Sequence, residues 1–280
     1  MPPPARLPRT TARQDRLVRA PGAAAWHTAA VTISISDLEH AAAPGWRAPD
    51  EARLGAWLLR AASGFTGRAN SALAAGEPSL PLADAIETVV RWYAERGLPP
   101  MIAVPYPVAR PERSELDQIL AGLGWTVRAD AATVMTARTV DVAGYVRPGA
   151  AVAIDPVPDA GWLGQYHYRG QPLPPIAVRL LTSASWQAFA SIREGGETIA
   201  IGRVAGSGDW AGLTAIEVDP DHYRRGLGTA VTAALAAHAA DRGFRNLYLQ
   251  VTDGNFGARS LYRQLGFTDH HGYHYRVSSA

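Results

Sequence analysis

The chain has 280 residues, 47% of them hydrophobic, a formal net charge of +2 and no cysteine; this supplies ordinary apolar cores and excludes disulfides, thiolate nucleophiles and cysteine-based metal sites. All 27 basic residues are arginine, which excludes a P-loop lysine and lysine Schiff-base chemistry. The charge is too small to point to nucleic acid, and no apolar run reaches the roughly 18 residues of a spanning helix, so a soluble, cytoplasmic protein without a membrane partner is expected.

Residues 1–30 form a Pro- and Ala-rich leader carrying Arg6, Arg9, Arg13, Arg16 and Arg19 against Asp15 alone, and are expected to be a disordered arm. Order is expected from about Ile33, with a helix start at Ser36-Asp37-Leu38-Glu39. Residues 55–60 and 69–73 read as strands joined by the turn at 64–67 into a hairpin. Leu82 to Arg96 carries apolar residues at helical spacing and stops at Gly97. A strand at 101–104, a helix at 114–123 and a strand at 133–139 follow. Residues 141–160 are rich in Gly and Pro and lack periodicity, so they read as the boundary between domains at 31–145 and 150–280.

The second half repeats a mixed α/β plan. A helix is expected at 175–182, a hairpin from 188–193 and 198–204 with its turn at 194–197, a second turn at 205–209 and a strand at 212–218. A helix at 226–242, a strand at 246–252, a helix at 256–265 and a strand at 273–277 complete it.

The chemistry concentrates at 216–231. An apolar strand ends at Val218, a turn with Pro220 follows, and a helix opens at Gly226. Gly226 and Gly228 let an anion approach the backbone. The unpaired N–H groups of the first helical turn, at Leu227, Gly228 and Thr229, would point at it. Arg224 and Arg225 add guanidinium donors. The stretch therefore reads as a diphosphate site or, more blandly, as a Gly-containing turn with two solvated arginines. A dinucleotide fingerprint would need a third glycine where Val231 stands.

Downstream, Asn255, Ala258, Leu261, Tyr262, Gly266 and Phe267 form N-x-x-A-x-x-L-Y-x-x-x-G-F. Together with R-R-G-L-G-T this resembles the GCN5-related N-acetyltransferase (GNAT) superfamily over roughly 185–278. Tyr223 departs from the Gln or Arg often found there. The resemblance implies acetyl-CoA as cofactor, with its pantetheine arm on the strand at Ile216 and Val218, its diphosphate on Arg224 to Thr229, and Asn255 in contact with it. It further implies Tyr262 as general acid toward the departing thiolate. Some members carry a glutamate where this chain has Gln250, so Glu217, on the cofactor-binding strand, is the candidate base, acting through water; the alternative is an exposed strand carboxylate. The segments 55–60, 64–71 and 92–100 resemble an actinobacterial family of tandem GNAT proteins often described as N-acetylglutamate synthases. This implies a mixed α/β tandem GNAT fold, with a degenerate N-terminal copy lacking the phosphate cradle. It suggests glutamate or another small amino acid as the acceptor amine, with Arg60, Arg68 and Asn70 as candidate carboxylate donors; the alternative is that Arg60 and Arg68 are solvent-facing strand and turn residues. A protein or peptide acceptor, and a non-catalytic acyl-CoA-binding protein, remain as alternatives. His270, His271 and His274 lack carboxylate or cysteine support nearby in sequence and read as a solvated cluster rather than a metal site.

Overall fold

Ser34 opens the first element: its Oγ accepts from the Asp37 amide at 3.1 Å and caps α1, Ile35–Ala42. The cap thus lies two residues before Ser36, where the helix start is expected. This is a computed structural model describing residues 33–108, 114–129, 131–145, 151–167 and 173–278. The arginine-rich leader lies outside the described residues.

β1 (Asp50–Leu54) and β2 (Trp57–Ala61) form a hairpin around Gly55 and Ala56. Gly55 has φ +59°, and a Cβ there would fall 2.4 Å from the Ser79 amide nitrogen, so the turn requires glycine. The expected antiparallel pairing of 55–60 with 69–73 is present but short, and β1 is an added partner. The segment read as the partner of 55–60 contributes only β3 (Ala72–Leu73), which meets β2 at Leu58 and Leu73. Arg68–Asn70 is a turn of 3-10 helix instead. Asn70 holds that loop: its Oδ1 accepts from the Ala62 and Gly64 amides, and its Nδ2 donates to the Phe65 and Thr66 carbonyls. Such side chain to backbone bonds compete with a strand ladder. β1 (Asp-Glu-Ala-Arg-Leu) turns only Ala52 and Leu54 to the core and carries three charged residues, as suits an edge strand.

α2 (Leu82–Ala94) buries Ala85, Ile86, Val89 and Tyr93 and leads into β4 (Met101–Pro107). α3 (Glu115–Gly122), β5 (Thr126–Val127), β6 (Ala132–Arg138) and α4 (Thr139–Ala143) follow. The expected linker holds more structure than its composition announces. β7 (Ala153–Asp155) pairs with the next strand, and Asp159 caps α5 (Ala160–Gln165). The remaining elements are α6 (Ile176–Leu181), β8 (Gln187–Glu194), β9 (Glu197–Ser207), β10 (Trp210–Val218), α7 (Leu227–Asp241), β11 (Asn246–Thr252), α8 (Phe256–Gln264) and β12 (Thr268–Val277).

The strands join in one mixed sheet, ordered β1-β2-β3-β4-β12-β6-β11-β10-β9-β8-β7, with β5 on β12. Two parallel pairs are each bridged by a helix, β3–α2–β4 and β10–α7–β11. Between them β4, β12, β6 and β11 run antiparallel. β6 therefore lies between two strands from the C-terminal side, and β12 between β6 and β4. Each half's last long strand completes the other half's sheet. The cores follow this exchange. α7 covers one face of β8 to β11, while Trp162, Leu180 and Phe189 on the other face pack with Trp46, Phe65 and Ala69 of the N-terminal half.

The three histidines are not a solvated cluster. His271 is fully buried, and its Nε2 lies 2.8 Å from Glu39 Oε1 on α1. Its Nδ1 lies 2.8 Å from His270 Nδ1. His274 Nε2 meets Asp117 Oδ1 at 2.7 Å, and Arg276 grips both oxygens of that carboxylate at 2.7 and 3.0 Å. These bonds pin α1 and α3 to β12. The acids that partner the histidines are over 150 residues away in sequence, which is why local spacing does not disclose them.

Candidate active site

The site forms where β10 and β11 part. They pair in parallel only from Trp210 beside Asn246 to Leu213 beside Leu249. Beyond that point β10 stays on β9 through a bulge between Thr214 and Glu217, with Ala215 at φ +53°. The edge of β10 that faces β11 is thus unpaired toward Val218, and its backbone groups can take a ligand's amides. Past Val218 the chain turns through Asp219, whose Oδ1 accepts from the Asp221 amide, and reaches α7. Arg224 (φ +63°) and Gly226 (φ +73°) are both left-handed. Gly226 is the N-cap and carries no side-chain acceptor, so the amides of the first turn of α7 have no protein cap. A left-handed non-glycine residue is held at a cost of about 1–2 kcal/mol and tends to mark a functional turn.

Two cavities meet along this opening. One, of about 890 Å³, runs over Ile216, Val218, Arg224, Gly226, Leu227 and Gly228 to Asn255 and Tyr262. The other, of about 550 Å³, is bounded by Trp46, Thr66 and Arg68 from the N-terminal half and by Tyr166, Tyr273 and Tyr275. Ile216, Glu217, His167, Asn255 and Tyr262 border both. One small set of side chains therefore stands between a cradle of helix amides and a separate chamber.

Glu217 lies on β10, and its Oε2 accepts from the His167 amide at 3.0 Å. Burial raises its carboxyl above the ordinary value, against the lowering effect of His167. Tyr262, on α8, is 8% exposed, and its ring meets Phe267 edge-on. Burial pushes its phenol up to about 12, so it stays protonated at neutral pH. Asn255 caps α8, its Oδ1 accepting from the Ala258 amide at 3.0 Å.

Not every expected residue faces the site. The Arg225 guanidinium turns outward to Glu194 at 2.6 Å, and the Thr229 side chain is buried; neither borders the cavities. Asn70 is committed to its loop and borders neither cavity. Arg60 is buried and bound to Ser71, reaching only a small chamber of about 20 Å³ beside the second cavity. Arg68 borders both that chamber and the cavity. Gln250 accepts from the Tyr273 hydroxyl at 3.0 Å and also borders the cavity. Trp46, Tyr166 and His167 were not legible beforehand. His167 follows α5, in a stretch whose only local signal is an irregular, Pro- and Gly-rich sequence, the kind of loop that often carries function.

The family described as "Probable histone acetyltransferase Rv0428c C-terminal" matches residues 32–276. The chain belongs to this family. It is 30% identical over 249 residues to the probable histone acetyltransferase Rv0428c of Mycobacterium tuberculosis, covering 86% of this chain and 72% of that protein. It is 26% identical over 259 residues to the uncharacterized N-acetyltransferase YobR of Bacillus subtilis, covering 87% and 98%. Among solved structures, a GCN5-related N-acetyltransferase from Kribbella flavida superposes with a TM-score of 0.64 at 19% identity, over 89% of this chain and 97% of that one. The chain is a GNAT-type N-acetyltransferase with a mixed α/β fold. No helix among the described residues is long and apolar enough to cross a membrane.

Proposed function

We propose that this chain transfers the acetyl group of acetyl-CoA to the primary amine of a small acceptor of the amino-acid class. The observation that carries this reading is the shared wall: Glu217 and Tyr262 border both the helix cradle and a second cavity lined in part by the N-terminal half. The residues present fit acetyl-CoA. A Cβ at Gly228 would sit 3.2 Å from Leu261 Cδ1 and 3.7 Å from Val218 Cγ2, crowding the cradle from within. The uncapped amides of α7 suit a diphosphate, and the free edge of β10 suits the pantetheine amides. Bound there, acetyl-CoA supplies an activated acyl group. Glu217 accepts a proton from the acceptor's ammonium group through water, and its raised pKa brings it nearer to neutral pH. The amine would then attack the acyl carbon, and as the C–S bond breaks Tyr262 would give its phenolic proton to the sulfur and recover the second proton released from the nitrogen, by way of water. Free N–H groups of β10 offer donors to the acyl oxygen as charge develops.

The mirrored topology supports reading the N-terminal half as a second, degenerate copy of the fold. α2 occupies the place of α7 between its parallel strands, yet it opens after Ser79-Leu80-Pro81 and has no arginine–glycine turn. Glutamate, raised by the sequence resemblance, is one member of the acceptor class. A protein acceptor is the second reading, favoured by the name of the mycobacterial relative. A chamber walled by Trp46, Thr66 and Arg68 argues for the small molecule. An acceptor screen with acetyl-CoA, reading release of free CoA thiol, tests this. Turnover with amino acids supports the proposal. Turnover with peptides alone overturns it for the protein reading, and acetyl-CoA binding without turnover for any acceptor marks a non-catalytic binding protein.

A further inference from the structure

We propose that Arg68 anchors the carboxylate of the acceptor, and that the acceptor carries one carboxylate on an apolar or aromatic body. This rests on the acetyl-transfer reading above. Arg68 is the one arginine among the described residues that lines this cavity; Arg60 borders only the small chamber beside it and Arg203 lies over the Trp46 ring, and both of these are already committed. Arg60 donates from Nε and Nη2 to Ser71 O and Oγ, both at 3.2 Å. Arg203, fully buried, donates to Leu181 O at 2.7 Å, Gly45 O at 2.9 Å and Thr214 Oγ1 at 3.4 Å. Arg68 has no hydrogen-bond or ion-pair partner among the described residues, and its guanidinium carbon lies 5.7 Å from the centroid of the Trp46 ring. A guanidinium is always charged and presents five N–H donors. Holding it half-buried with none of them engaged is costly unless a ligand engages them.

The charge around it favours an anion. In the small chamber Arg60 and Arg68 face one carboxylate, Glu39, whose Oε1 is already bound to His271 at 2.8 Å. A positive charge is therefore in surplus on the Arg68 side, while the cavity's own carboxylate, Glu217, stands at the transfer end. A ligand with its carboxylate on Arg68 and its ammonium group toward Glu217 matches both ends. Between them the wall is aromatic, formed by Trp46, Tyr166, Tyr273 and Tyr275. A second carboxylate, as in glutamate, would find phenols there and no second arginine in the lining of this cavity. One guanidinium neutralises one charge, which suits a carboxylate rather than a phosphate dianion.

The test uses the full chain saturated with CoA. Phenylalanine, leucine, their amides and glutamate are titrated by calorimetry, and kcat/KM with acetyl-CoA is measured for the same five. The acids should bind and react on the order of 10²-fold better than the amides, from two charge-assisted hydrogen bonds, and better than glutamate. Arg68→Gln should erase the difference between acid and amide, and Arg68→Lys should restore part of it, with acetyl-CoA affinity unchanged in both. The proposal is overturned if acid and amide are equal in the parent chain, if their difference survives Arg68→Gln, or if glutamate is preferred. It is also overturned if none of the five binds a chain that binds acetyl-CoA, which leaves the acetyl-transfer reading standing. Failure to bind acetyl-CoA removes that reading itself, and the proposal with it.

Discussion

Replacing Tyr262 with Phe separates catalysis from packing. The ring is buried on α8 against Phe267, with centroids 5.9 Å apart, and its hydroxyl has no hydrogen-bond partner among the described residues. Tyr262→Phe therefore breaks no protein hydrogen bond and keeps the ring's burial, so stability should change by less than about 1 kcal/mol. Loss of a general acid costs typically 10²–10⁴-fold, or about 2.7–5.4 kcal/mol of barrier. The catalytic effect exceeds the structural one severalfold, so the two are separable. With its phenol at about 12, Tyr262 holds its proton across the neutral range and contributes no limb to the pH profile there. The assay is CoA thiol release under conditions where pre-steady-state traces show chemistry to be rate-limiting, with acetyl-CoA affinity followed by calorimetry. The expected result is a much lower kcat with unchanged affinity and unfolding midpoint. An unchanged kcat under those conditions would return Tyr262 to a packing role.

Other consequences follow from the same geometry. In its proposed role as base Glu217 would act only when ionised, and burial raises its pKa, so kcat should rise with pH through a limb above the ordinary carboxylate range. Glu217→Gln should remove that limb and lower kcat by about 10²-fold; an identical limb in the variant would assign it to another group. Asp117→Asn should destabilise the fold by about 3–5 kcal/mol in denaturant titrations, because it leaves Arg276 buried without its charge partner; a loss under about 1 kcal/mol would contradict that. Burial works to raise the Asp117 pKa, but the hydrogen bonds and charges of Arg276 and His274 outweigh it and hold it below the ordinary value. Its contribution is therefore present above the unfolded pKa and lost as pH falls through the folded one. The parent should show this acid loss and Asp117→Asn should lack it.

How much of this was legible in the sequence depends on how local each feature is. The strand–turn–helix around Gly226 is written in contiguous residues, and α7, β11 and α8 lie within a residue or so of their expected bounds. Glu217 and Tyr262 reach the same opening because β10 and α8 flank it directly. The other wall is not local. Trp46 and Arg68 enter from the N-terminal half because β6 and β12 exchange sides, and strand order leaves no trace in hydrophobic periodicity. The same limit explains Asn70, which looked like a ligand donor from its neighbours and is used up by the backbone of residues 62–66. β1 is poorly legible because its apolar signal is only Ala52 and Leu54 among three charged residues.

Calorimetric titration of the full chain with acetyl-CoA tests the central claim most directly. The cradle on α7 has no counterpart at α2, so one acetyl-CoA should bind per chain. Gly228→Trp, folded as judged by circular dichroism, should abolish that binding by filling the space beside Leu261 and Val218. Two bound molecules per chain, no binding by the parent chain, or normal binding by Gly228→Trp would contradict the account.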